Sequence, residues 1–126
     1  PVINQLYQCD FKRNENDIFD ILDFHDDQQK KIVEIKGRRI PSDRYEDTII
    51  TTSKVTEGFK AIEHGYKVFF VFVFTDKMFQ MQLKEDASFK VKMTGTNCIA
   101  HYMIPVKELT EITEDDFNVD EPIEEP

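Results

Sequence analysis

Hydrophobic and polar positions change their period several times along the chain, and each change marks an element. Residues 1–12 mix Val2, Ile3, Leu6, Tyr7 and Phe11 with polar residues in a pattern that fits strand or short helix equally, and 12–16 (KRNEN) read as a turn. Residues 18–24 are rich in β-branched and aromatic side chains and predict a strand. A polar turn over 26–29 (DDQQ) and a return strand over 30–36 (KKIVEIK) complete a β-hairpin, which Gly37 ends or kinks. Pro41, Ser42 and Asp43 make 38–48 a loop.

The period then becomes helical. Val55, Phe59 and Ile62 form an apolar stripe at i, i+4 and i+7, which predicts a helix over 49–64. Thr51, Thr52 or Ser53 can cap its start, and Gly65 suits the left-handed position after its end. Gly58 weakens the helix by about 1 kcal/mol relative to Ala. Residues 66–74 (YKVFFVFVF) have almost no polar face, as in a central strand buried on both sides, and a strand following a helix in this way fits a parallel crossover. Three more strands are expected over 78–83, 89–94 and 98–106, and a short helix fits near 107–117. Hairpin, helix, buried strand and further strands make the class α/β or α+β with a mixed sheet.

Composition adds a division of charge. The formal net charge is −9, which at first argues against a nucleic-acid partner. No basic residue follows Lys107, however, and residues 108–126 hold nine acids, so 1–107 is neutral and the excess belongs to an acidic C-terminal tail. The expected organisation is one domain over 1–107 and a tail over 108–126. With 126 residues there is room for one small core, and no apolar run approaches a membrane span. Cys9 and Cys98 are too few for a disulfide framework, so free thiols in a reducing cytoplasm are expected, with the nucleus or a virus-infected cell as other settings. The opening residues hold no secretory h-region, and no His-rich metal spacing, zinc motif, Gly-rich phosphate loop or Ser-centred nucleophile is present.

The hairpin carries the candidate chemistry. A turn centred near Asp27 sets Asp20 opposite Glu34, and alternation puts Lys36 on the same face. Opposed Cβ atoms lie roughly 4.5–5.5 Å apart, so two carboxylates and an ammonium converge. Carboxylates that close repel unless neutralised, and a divalent cation with oxygen ligands does this. By the same parity Asp23 falls on the opposite face.

The spacing Asp20…Glu34-Ile35-Lys36, with Gly37 and Arg38 following, resembles the PD-(D/E)xK nuclease superfamily over about residues 17–75, and the later helix and buried strand agree in order. A second match, Asp10-Phe11-Lys12, lacks an upstream Asp-bearing strand. The resemblance implies a restriction-endonuclease-like core and a metal-dependent nuclease hydrolysing phosphodiester bonds, in DNA before RNA. It implies Mg²⁺ or Mn²⁺ on Asp20, Glu34 and the Ile35 carbonyl, Lys36 as the catalytic lysine, and Lys54 on the following helix as an accessory. Arg38, Arg39 and Lys54 are candidate phosphate contacts. Tyr45 is a candidate for stacking on a base, against a packed loop aromatic. A chain this small has little surface for sequence recognition, which points to a homodimer or a larger complex. The alternative is a catalytically inactive nuclease-fold module, binding or inhibitory, that acts through its acidic tail on a basic protein partner.

Overall fold

In the computed structural model, residues 6–7, 12–13, 24–95 and 98–113 are described. Two strands with consecutive buried residues form the centre: β3 (Lys31–Gly37) and β5 (Lys67–Val73) pair in parallel, with Glu34 beside Phe70 and Lys36 beside Phe72. Antiparallel neighbours extend them to a six-stranded mixed sheet in the order β1 (Lys12–Arg13), β2 (Phe24–Asp26), β3, β5, β6 (Met78–Leu83), β9 (Thr110–Ile112). The expected mixed-sheet class is therefore observed, as α+β. A second, three-stranded antiparallel sheet was not expected. Its order is β4 (Asp47–Thr51), β8 (Ile99–Pro105), β7 (Lys90–Thr94).

The crossover from β3 to β5 explains the two sheets. After Gly37 the chain leaves the large sheet, forms β4 in the small one, and passes straight into α1 (Thr52–Glu63) before returning as β5. Residues 49–51, expected as the first turn of the helix, are strand. Ile50 is buried and Ile49 half-buried, and pairing with Met103 and Tyr102 outweighs a marginal extra helical turn. Thr51 is the N-cap residue, without a side-chain capping bond, and Gly65 has the positive φ of +91° that the end of the helix needs.

Alternation along β3 and β5 divides the core into two layers. Ile32, Val68, Phe70 and Phe72 pack with Val55 and Ala61 of α1 and with Ile50 and Ile104 of the small sheet. Val33 and Val71 face the other way, toward Tyr7, Ile112 and Phe69. Each fully buried large apolar side chain is worth about 1.5–3 kcal/mol. Gly58 has a packing reason that offsets its helical cost: a Cβ there would stand 2.7 Å from Leu83 Cδ2, so its absence lets α1 lie close on the sheet.

At the C-terminal end, Val106–Glu108 form a single 3-10 turn, and Thr110–Ile112 pair with β6 in place of the expected helix near 107–117. Residues 108–112, which the charge count assigned to the tail, therefore belong to the fold, with Ile112 buried. The remainder of the tail, 114–126, lies outside the described residues, as do Asp20, Asp23 and Cys9. Cys98 is exposed with a free thiol.

Candidate functional site

Glu34 is the only charged side chain in the inner layer that is fully buried among the described residues, at 0% exposure. Its neighbours Ile32 and Phe70 offer it no solvation, and an isolated carboxylate there would cost several kcal/mol. Two ammonium groups meet it. Lys54 Nζ lies 3.0 Å from Glu34 Oε2, and Lys36 Nζ lies 3.7 Å from the same oxygen. Glu34 and Lys36 share a face because they are two residues apart on a strand. Lys54 arrives from the first turn of α1, which holds no acidic residue. A cation at a helix N-terminus opposes the helix dipole, at about 0.3–1 kcal/mol. The buried Glu34 offsets that cost, and the two choices make sense only together.

The structure thus brings together Glu34, Lys36 and Lys54, one carboxylate and two ammonium groups among the described residues. Ile35 lies on the same strand and points its side chain into the outer layer. Arg38 has partners within the fold. Its guanidinium donates to Thr48 Oγ1 at 3.4 Å, to the Gly37 carbonyl at 3.2 Å and to the Ile49 carbonyl. It clamps the end of β3 to β4, and burial pulls its pKa below the ordinary guanidinium value. Arg39 is exposed.

The hairpin register differs from the expected one. Phe24 faces Val33, His25 faces Ile32 and Asp26 faces Lys31. The turn occupies 27–30, one residue later than expected, because Asp26 Oδ1 accepts from Gln28 N–H (3.0 Å) and Gln29 N–H (3.1 Å) and Lys30 takes a positive φ of 55°. The pairing is displaced by three residues, an odd number, so the parity that put Asp20 with Glu34 does not hold for this ladder.

A hard cation needs several oxygens. The described residues supply one carboxylate, Glu34, with the Ile35 carbonyl next to it, and they contain no group of three or more His, Cys, Asp or Glu side chains that could hold a metal ion. As described, Glu34 is neutralised by lysines. A metal site at this place requires a further carboxylate from residues outside those described.

Beside the cluster opens a cavity of about 730 Å³. Lys36 and Arg38 line one side, and Thr51, Lys92, His101 and Met103 of the small sheet line the other. The register explains the second set: Thr51, His101 and Lys92 lie in one row across β4, β8 and β7, and share a face. Lys92 and His101 were not singled out from the sequence. The alternation of 89–94 was readable, but which face meets the site depends on non-local pairing.

Comparison with protein-family profiles, with curated proteins and with solved structures returned no match. No helix among the described residues is long and apolar enough to cross a membrane.

Proposed function

We propose that the protein is a metal-dependent nuclease of restriction-endonuclease-like core, hydrolysing phosphodiester bonds in nucleic acid, with DNA the first substrate to test. One observation carries the reading: Glu34 and Lys36, on one face of β3, meet Lys54 of α1 within 3.0–3.7 Å beside a cleft lined with further cations. A strand carrying Glu-x-Lys, then a helix bringing a third charged group back to it, then a parallel buried strand is the order the resemblance requires. The lysine ammonium groups suit an anionic phosphodiester and the negative charge that develops during its hydrolysis. In this reading Glu34 and the Ile35 carbonyl hold Mg²⁺ or Mn²⁺ together with a carboxylate from the residues before Phe24. The metal would acidify a water and polarise the phosphoryl oxygen. Lys36 orients the water and steadies charge, and Lys54 keeps Glu34 ionised and aimed.

Asp20 is the carboxylate named by the resemblance. Asp20→Asn tests that role directly, with Asp23→Asn beside it as a neighbouring carboxylate. The assay uses labelled duplex, single-stranded and branched DNA, and RNA, with Mg²⁺ or Mn²⁺ against EDTA. Metal-dependent cleavage that Glu34→Gln and Lys36→Ala abolish, with circular dichroism unchanged, is expected. Equal cleavage by wild type and both variants contradicts the reading.

A second reading has its own observation. Glu34 is already paired with two ammonium groups, as a purely structural carboxylate would be. An inactive module working through its acidic tail would bind no Mn²⁺ in a calorimetric titration, and would lose a basic protein partner when 114–126 are removed.

A further inference from the structure

The cleft beside Lys36 does not end at the cluster. It runs over β4, the edge strand of the small sheet, to Lys92 on one side and to Tyr45 on the other. Lys92 is exposed and makes no ion pair among the described residues. Tyr45 is 59% exposed, unusual for a large aromatic ring, and the Arg44 guanidinium lies 5.6 Å from its centroid. The ring is not on a loose loop. Ser42 donates to Asp76 through its N–H (2.8 Å) and its hydroxyl (2.9 Å) on one side, and the Val106 N–H donates to the Glu46 carbonyl at 2.9 Å on the other. An aromatic face is thus held open to solvent at the end of a cleft whose far wall carries cations.

We infer that this cleft binds a single strand of nucleic acid, with Lys36 and Lys92 on its phosphates and Tyr45 stacked on an unpaired base. The inference rests on the nuclease reading for the position of Lys36, and it names the form of substrate that the site takes. One feature selects a single strand over a duplex: stacking on a side chain requires an unpaired base, since within a duplex both faces of each base are covered by neighbours. Lys36 lines the same open cleft, of about 730 Å³. Glu46 and Asp47 also line the cleft, at the Tyr45 end. They repel phosphates there, which leaves that end to the base.

The test is fluorescence anisotropy with labelled oligothymidine, oligouridine and a matched duplex, in EDTA so that nothing is cut. The expected result is single strands bound about tenfold or more tighter than duplex. Tyr45→Ala should weaken single-strand binding about tenfold, and Tyr45→Phe should restore it. Lys92→Ala should weaken binding and lower the salt slope by about one. Duplex bound as tightly as single strand, or Tyr45→Ala without effect, overturns the inference. Single-strand preference without cleavage in Mg²⁺ would sink the nuclease reading and leave this one standing. Cleavage without single-strand preference would do the reverse.

Discussion

The two sheets of this protein have opposite characters. β3 and β5 of the large sheet are buried on both faces, and their only fully buried charge is the neutralised Glu34. β7 of the small sheet is an edge strand with Lys90, Val91, Lys92 and Met93 all exposed. Lysines on an edge strand discourage pairing with another chain and leave the surface to charged ligands. The candidate site lies where the two sheets approach. Glu34 and Lys36 stand on the large sheet and Lys54 on α1, while the proposed substrate contacts run from Lys36 to Lys92 of the small sheet and to Tyr45 in the loop before β4. The buried sheet thus holds the proposed chemistry, and the exposed one adds to binding.

The difference is large enough to measure as stability. Phe70→Ala, in the rigid layer, should cost about 3–5 kcal/mol in urea denaturation. Met93→Ala, 60% exposed, should stay within about 0.5 kcal/mol. Similar losses at both positions would remove the distinction. Between these extremes, Lys54→Met should cost about 2 kcal/mol, because the buried Glu34 loses the nearer of its two lysine ammonium groups. The double variant Lys54→Met with Glu34→Leu should recover part of that loss in the same assay.

The smallest expected effect concerns the loop that joins the layers. The Ser42 N–H, and then its hydroxyl, hold the Asp76 carboxyl below the ordinary carboxylate range. A depressed pKa means that its contribution to stability is complete above the unfolded value, near pH 4, and is lost as pH falls through the folded value. Wild type should therefore lose slightly more stability than Asp76→Asn between pH 5 and pH 2, as read by denaturation midpoints. Equal losses would show that the bond does not anchor the loop.

What the chain reveals on inspection follows the same division. The run KVFFVFV declares a doubly buried strand because burial on both faces leaves a signal in every residue. Glu34 and Lys36 were legible as a pair because parity on one strand is local geometry, whereas Lys54 joined them only through the resemblance, which implies a lysine on the following helix. β4 and β9 were missed, since DTIIT and TEI are too short to declare a period and exist through partners at β8 and β6. The hairpin register was missed for a local reason: Asp26, read as part of the turn, ends β2 and uses its side chain to set the turn that follows. Lys92 and His101 reach the cleft only through the non-local register of the small sheet.

Single-turnover cleavage of a labelled single strand in Mg²⁺, at increasing protein concentration, separates the saturating rate from the half-saturating concentration. It tests the division of roles most directly. Lys36→Ala should lower the saturating rate by about 10²-fold or more and leave the half-saturating concentration within a few-fold of wild type. Lys92→Ala should raise that concentration and leave the rate unchanged. If both variants change the same parameter, or if neither changes anything, the two sheets do not share the work in the way described.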